Sequence, residues 1–565
     1  MLDSRKRRKR ALKLNNAGIW LRNHYMILVV IVFLIVGSYL TVHIIKNRDS
    51  GEDKDMRDIY LLVEADNIKL TMYQPVSFDA LASTDEDVYY LDQIIYSSLF
   101  RLDDGLNIVP DVVQNYETDA DSGIVYIDLR KDVFFPDGSK LTMDDVMKSI
   151  DSIRAIGEGG PYFRYVSRIA KCEAYGDFSC VITFTSPREA ALDNLVFPLI
   201  CAADYSLGAE MTQGSGAYSF GAYKAGSSLV LEPNPYYHGG VAAYPVNITM
   251  TKDKSKIPGL MTMDAVTAFL SKESNADAIA TDRSLSSRLI PSGELEFIGF
   301  NMEKEDTGNK AIRQVLASAI DRKQLIADDY AGMALVSDSL YFPGFLGADK
   351  EVGLNYDPKR AVDSMAAIGY SDVDEDGVVE REDGNDFILT MIVADGYQSR
   401  VDAAENIAEQ LADIGIHLDV QVLPQEDFEA KRAEGDFDLL FAGIRMDKQF
   451  RMRELFDSDN PIHYKNESVL DLVDELERAH TDSELKSLFA ELKAALNDDM
   501  PYFPVCYKAY CFMSVSTFSS ASEPLYFDPY RDIAAWRWQK RVNVAGGQSQ
   551  WQLPPETQEE ETEDE

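Results

Sequence analysis

Val125, Ile127 and Leu129 alternate with Tyr126 and Asp128, the period-two pattern of a strand with one buried face. Phe134-Phe135-Pro136-Asp137-Gly138 follows as an apolar plug and a turn. Thr142 with Asp145 then forms a capping-box pair at a helix start, and Val146, Ile150 and Ile153 supply that helix's buried stripe. A hairpin is expected between the strand around Ile169–Ala174 and a second one at Val181–Phe184, turning through Gly176-Asp177. Ile312, Val315, Leu316, Ala319 and Ile320 have helical spacing, as do Ala403, Ile407, Leu411 and Ile414. Thr390, Ile392 and Val393 read as a strand before the second of these helices. That helix ends near Gly415 and runs into the alternating strand His417 to Val422. A β-helix-β rhythm of this kind predicts an α/β architecture with at least two lobes.

Ahead of these elements the pattern changes. Arg5, Lys6, Arg7, Arg8, Lys9 and Arg10 form a basic block, and an uncharged apolar run extends from Tyr25 to Val42. About 20 apolar residues cross a bilayer as a helix, and the basic flank stays in the cytoplasm. The expectation is a cytoplasmic segment at 1–24, one transmembrane anchor at 25–45 and a polar tether at 46–57. Everything after Lys46 would lie outside the cytoplasm. The small-residue cleavage pattern of a signal peptide is missing, and no Cys accompanies the run for lipid attachment. Within 544–565, Pro554-Pro555 is followed by a Glu-rich run with nothing apolar to bury, so a disordered acidic tail is expected at 544–565.

Composition narrows the chemistry. The 565 residues hold 55 Lys plus Arg against 95 Asp plus Glu, a formal charge of −40 that repels phosphate backbones and argues against a nucleic-acid partner. His238, His417, His463 and His480 show no zinc-protease spacing, and no nucleophile elbow or phosphate-binding loop occurs. An enzyme is not expected. Five Cys make no disulfide framework. Cys172 with Cys180 forms a bridge if a three-residue turn sets them opposite one another. Cys506 with Cys511 is a second candidate pair, leaving Cys201 free, and five reduced thiols are the alternative.

Residues Asp128–Ile150 (DLRKDVFFPDGSKLTMDDVMKSI) closely resemble the signature of the family 5 extracellular solute-binding proteins, the peptide-binding components of ABC importers. Further marks follow in family order. They include Ile95-Tyr96-Ser97-Ser98-Leu99-Phe100, Gly214-Ser215-Gly216-Ala217-Tyr218-Ser219-Phe220, Asn234-Pro235-Tyr236-Tyr237, Phe300-Asn301, Ile312-Arg313-Gln314 and Ala319-Ile320-Asp321-Arg322. The resemblance implies a two-lobed periplasmic-binding-protein-like (type II) α/β fold with an extra subdomain in lobe I. Lobe I would comprise 58–300, with the insertion near 106–210, and take back 501–543; lobe II would be 301–500. Peptides would be held as extended chains between closing lobes and delivered to permease subunits.

The same resemblance implies site residues. Ala442-Gly443-Ile444-Arg445-Met446-Asp447 stands where relatives place the aspartate that binds a peptide's α-ammonium, which makes Asp447 the candidate anion. Tyr96, Ser97, Tyr218 and Asn301 are further cleft candidates, and Arg445 and Arg451 are candidates for a ligand carboxylate. Separately, Asp372, Asp374, Asp376, Glu380 and Asp383 fit oxygen-ligand positions of a calcium loop, with a solvated turn as the alternative. No other cofactor is implied. Two further readings stand beside transport: a membrane-tethered sensory or scaffold protein that keeps the fold but feeds no transporter, and a surface hydrolase using two of the many carboxylates.

Overall fold

The alternation at Val125, Ile127 and Leu129 becomes the strand Ile124–Leu129, with these three side chains buried and Tyr126 and Asp128 facing out. It is the second strand of a four-stranded antiparallel sheet in the order Val113–Asp119, Ile124–Leu129, Ser179–Phe184, Ile169–Ala174. The computed structural model describes residues 60–543 apart from 120, 188–191, 274–283, 349–354, 382, 447 and 480–481. The expected segments 1–24, 25–45, 46–57 and 544–565 lie outside the described residues. Among the described residues, no helix is long and apolar enough to cross a membrane. Leu62–Arg541 form one compact body.

Helix Met143–Ile156 starts at the expected capping box. The Thr142 N–H donates to Asp145 Oδ2 at 2.7 Å, while Asp145 Oδ1 accepts from Ala202 N–H at 2.8 Å and ties the helix start to a distant loop. Val146, Ile150 and Ile153 are buried in one apolar cluster with the sheet's inner face.

The hairpin Ile169–Ala174 to Ser179–Phe184 also forms, but through a four-residue connection at 175–178 in which Gly176 takes a positive φ. That length decides the cysteines. Ala174, not Cys172, stands opposite Cys180, while Cys172 faces Ile182, so the expected opposed pair is a diagonal pair of free thiols. Cys506 and Cys511 both lie on the strand Tyr502–Val515, five residues apart. At about 3.4 Å per residue they are roughly 17 Å apart, far beyond bridging distance. This second expected pair is therefore excluded.

The β-helix-β unit consists of strand Ile388–Ala394, helix Gln398–Ala412 and strand His417–Leu423, with the two strands parallel and in register from Ile388↔His417 to Ala394↔Leu423. It joins a seven-stranded sheet ordered Ala268–Ser271, Tyr502–Val515, Leu285–Phe300, Leu439–Arg445, Ile388–Ala394, His417–Leu423, with Ala334–Val336 added against Tyr502–Val515. A third sheet, of four strands, is ordered Ile68–Tyr73, Val246–Thr251, Ser228–Pro233, Tyr218–Lys224. The long antiparallel pair Leu285–Phe300 and Tyr502–Val515 links elements on both sides of the large sheet, and its register shifts between Pro291 and Leu295. A bulge there is where a proline without an N–H is tolerated.

The arginine motifs are explained by packing. Arg313 is buried on helix Lys310–Ala319 and donates to the carbonyls of Thr307, Gly308, Asp499 and Met500, stapling the helix to the returning chain. Asp321 caps helix Arg322–Asp328, and Arg322 reaches Pro504 O and Asp338.

Candidate functional site

Helix Glu86–Ile95 begins at Asp85, whose carboxylate accepts from the N–H groups of Asp87 and Val88, and it buries Val88, Leu91 and Ile95 along one stripe. Asp92 sits on the same stripe. The helix ends against the loop carrying Gly214 and Gly216. The Gly216 N–H donates to Ile95 O at 2.9 Å, and a Cβ at Gly216 would come within 2.7 Å of Ile94 O. These glycines permit close approach of two backbones rather than a left-handed turn.

Two further segments complete the walls. Residues 527–535 are held by Arg531, which donates to Leu102 O at 2.7 Å and pairs with Asp104 at 3.3 Å. On the other side the chain leaves strand Leu439–Arg445 at Met446. Its N–H bonds Gly293 O at 2.7 Å and its carbonyl accepts from the Tyr526 hydroxyl at 2.9 Å. The following residues then point across the molecule. Lys448 Nζ donates to Gln93 Oε1 at 2.7 Å, Gln449 Nε2 to Asn194 Oδ1 at 2.8 Å, and Arg451 Nη2 pairs with Asp193 at 2.8 Å. Phe450 takes a φ of +51° and stacks on Phe342 with centroids 4.9 Å apart. A non-glycine residue so placed stores about 1–3 kcal/mol, which the surrounding packing holds in place.

These walls enclose a cavity of about 320 Å³, within the range of small-molecule sites. Arg101, Asp111, Lys448, Asp528 and Arg531 give it charge of both signs, and Asp92 adds a further carboxyl. A second cavity of about 180 Å³ also has Lys448 in its lining, with Leu106, Phe345, Phe450 and Leu485 among its walls.

Asp92 is 3% exposed, and its Oδ1 has no hydrogen-bond partner among the described residues. Burial pushes its carboxyl well above the usual range, Asp79 adds to this, and Lys448 opposes it. Asp528 is pushed up to about 6 by burial against the pull of Lys448, Arg531 and Arg101, with Asp532 adding to the rise, and its Oδ1 also lacks a partner among the described residues. Lys448 is 7% exposed and lies over the rings of Tyr89 and Phe527, at 4.9 and 5.5 Å from their centroids.

Asp528 has a consequence for stability against pH. Between about pH 4 and pH 6 the folded chain holds a proton at Asp528 that the unfolded chain has released. This group therefore favours the fold below that window, and the contribution is lost as pH rises through about 6. Asp528→Asn removes the effect. Urea titrations should show the variant gaining on the parent protein by about 2 kcal/mol from pH 4 to pH 6.5, allowing for the residue's partial exposure. A difference constant across this window would count against a buried carboxylate here.

The expected site residues separate. Tyr96 and Ser97 line the cavity, although the Tyr96 hydroxyl is engaged by Thr212 at 2.9 Å. Tyr218 does not line it: its hydroxyl donates to Tyr244 O at 3.0 Å, and its neighbours Gly216 and Ala217 form the wall instead. Asn301 also lies elsewhere, donating to Gly435 O and Phe437 O and accepting from Glu303 N–H, a clamp within its own half of the chain. Arg445 is exposed at the end of its strand opposite Glu294, and Arg451 is committed to Asp193. Asp447 lies outside the described residues.

Of the five expected calcium ligands, Asp372, Asp374 and Asp376 bring carboxylate oxygens within 4.8 Å of one another on the surface. Glu380 instead accepts from Val373 N–H at 2.7 Å, and Asp383 from the Asn385 N–H and side-chain amide. Of the expected five-ligand set, three carboxylates thus gather, while Glu380 caps the Val373-Asp374 backbone and Asp383 its own turn.

Sequence reading missed Asp92, Gln93, Lys448 and Asp528. Asp92 had a visible signal, a carboxylate on the apolar stripe of an amphipathic helix. Lys448 had none.

Residues 107–455 match the family model described as the middle part of the bacterial extracellular solute-binding proteins, family 5. The oligopeptide-binding protein AppA of Bacillus subtilis is 23% identical over 466 residues, 76% of this chain and 83% of AppA. Among solved structures, the unliganded open form of the periplasmic murein tripeptide-binding protein MppA superposes with a TM-score of 0.71 at 15% identity, covering 85% of this chain and 99% of MppA. The nickel ABC transporter structure from Bacillus halodurans gives 0.70 at 16% identity, covering 81% and 96%. At these identities the structures establish the shared fold.

Proposed function

Since this chain belongs to the family 5 bacterial extracellular solute-binding proteins, we propose that it captures short peptides, or solutes of similar chemistry, and hands them to the permease of an ABC importer. The observation that carries this reading is the enclosed cavity with charges of both signs, with Lys448 in its wall. A zwitterionic chain needs both signs, and an enclosed site strengthens each charged contact. The AppA relative, described as oligopeptide-binding, points to the same ligand class.

In this reading 58–300 and 501–543 form one lobe and 301–500 the other. Lys448, Gln449 and Arg451 then cross from the second lobe to Gln93, Asn194 and Asp193 of the first. The apolar run Tyr25 to Val42 holds the protein at the membrane, so the body works outside the cytoplasm close to its transporter. Its role is capture and delivery, not catalysis.

The test is mass spectrometry of whatever the full-length chain carries through purification, followed by calorimetry with the recovered species. Mixed short peptides are expected. A chain that neither carries nor binds any peptide or small solute would reject the reading. Asp447 is proposed to take the peptide's α-ammonium. Asp447→Ala should then weaken peptide binding tenfold or more, since a lost charged hydrogen bond is worth about 1.5–3 kcal/mol. Unchanged calorimetric affinity would remove Asp447 from the site.

A further inference from the structure

The geometry points to the Asp92 end of the cavity as a subsite for a cationic side chain of the captured solute, an ammonium or guanidinium, with the Lys448 ammonium as its resident competitor. The inference rests on the capture reading and adds a selectivity to it.

Buried carboxylate oxygens are almost always hydrogen-bonded. Here two carboxylates lining one cavity, Asp92 and Asp528, each keep an oxygen without a partner among the described residues. Asp92 is 97% withdrawn from solvent, as its 3% exposure states, so bulk water does not serve that oxygen in the ordinary way. A cation beside these oxygens would supply a partner and also favour the charged form of each carboxyl, which burial alone disfavours.

The surroundings suit a cation too. Phe527 and Tyr530 line the same cavity and offer ring faces. Lys448 shows the arrangement in use. Its ammonium reaches Gln93 on the Asp92 helix and lies over Tyr89 and Phe527, and its charge opposes the rise that burial imposes on the Asp92 and Asp528 carboxyls. It bonds neither of the two open oxygens. The remaining volume of about 320 Å³ leaves room for an alkyl-ammonium chain beside it. Of the other cations here, Arg531 is committed to Asp104 and Leu102 O. A ligand cation entering this end therefore meets the Asp92 and Asp528 carboxyls and faces the like charges of Lys448 and Arg101.

Calorimetry on the full-length chain at pH 7.5 tests this with Ala-Lys-Ala, its Nε-acetyl-lysine counterpart, pentane-1,5-diamine and pentane-1,5-diol. The lysine peptide is expected to bind at least tenfold more tightly than the acetylated one, and the diamine more tightly than the diol. Asp92→Asn should erase most of both preferences, with Asp528→Asn as a second variant should the first fold poorly. Lys448→Met should tighten the lysine peptide and the diamine tenfold or more.

Equal affinity for the two peptides overturns the subsite while leaving peptide capture standing. An Asp92-dependent preference for the diamine with neither peptide bound keeps the subsite and counts against tripeptides as its ligands. No binding of any probe overturns the subsite and leaves capture to be judged by the solutes recovered from the purified chain. A lysine preference that survives both Asp92→Asn and Asp528→Asn places the cation elsewhere and also overturns the subsite.

Discussion

Glu296→Gln should lower the unfolding free energy by about 3–5 kcal/mol, read from urea midpoints. Glu296 lies mid-strand in Leu285–Phe300 at 1% exposure. It accepts from Arg400 Nε at 2.5 Å and Nη2 at 3.0 Å and pairs with Lys508 at 3.1 Å, so one carboxylate serves two cations from two other elements. The amide keeps the shape but loses the charge, which leaves the Arg400 guanidinium buried against a neutral neighbour. Glu294 reaches Lys508 at 3.3 Å but not Arg400, so it compensates only part of the loss. The site has no slack, because Gly443 stands directly opposite Glu296 and a Cβ there would collide with the Arg400 guanidinium. Adding Arg400→Met should be much less than additive, since it removes the stranded cation. A loss under 1 kcal/mol for the single variant would mean that the cluster behaves like a solvated surface pair.

Gly214→Ala should destabilise the protein by about 3 kcal/mol and weaken solute binding tenfold or more, measured by urea titration and calorimetry. A Cβ at this position would fall inside van der Waals contact of Ile95 O and within 2.7 Å of Ile95 C. Both atoms are backbone at the end of a helix, so no side chain can rotate away. Overpacking of this kind costs about 1–3 kcal/mol, and an immovable neighbour puts it at the upper end. The helix end that must shift carries Tyr96 and Ser97 into the cavity wall, which is why affinity falls together with stability. Unchanged affinity with lost stability would separate the wall from the binding geometry.

Both effects belong to features that the linear chain shows unequally. Gly214-Ser215-Gly216 was visible as a motif, but its reason was not: the two glycines admit a carbonyl from a helix more than a hundred residues earlier. Asn301 was visible as well, and the fold spends it on two carbonyls of its own half instead of a ligand. Arg313 and Asp321 looked like family punctuation and prove to be a staple and a helix cap.

Local period was enough to place the strand Ile124–Leu129, the capping box at Thr142, the helices Lys310–Ala319 and Gln398–Ala412 and the parallel strand that follows, and the ordered motifs were enough to place the family. Those features depend on neighbours within a few residues, because one buried face repeats every second or every third to fourth position. The partners of charged side chains obey no such period. Gln93 and Lys448 meet across 355 residues of chain, and Asp528 joins them from the C-terminal return. Which carboxylates end up dry, which cation faces them, and which cysteines stand too far apart to bridge are set by where the sheets bring distant segments together, and burial then turns that placement into chemistry.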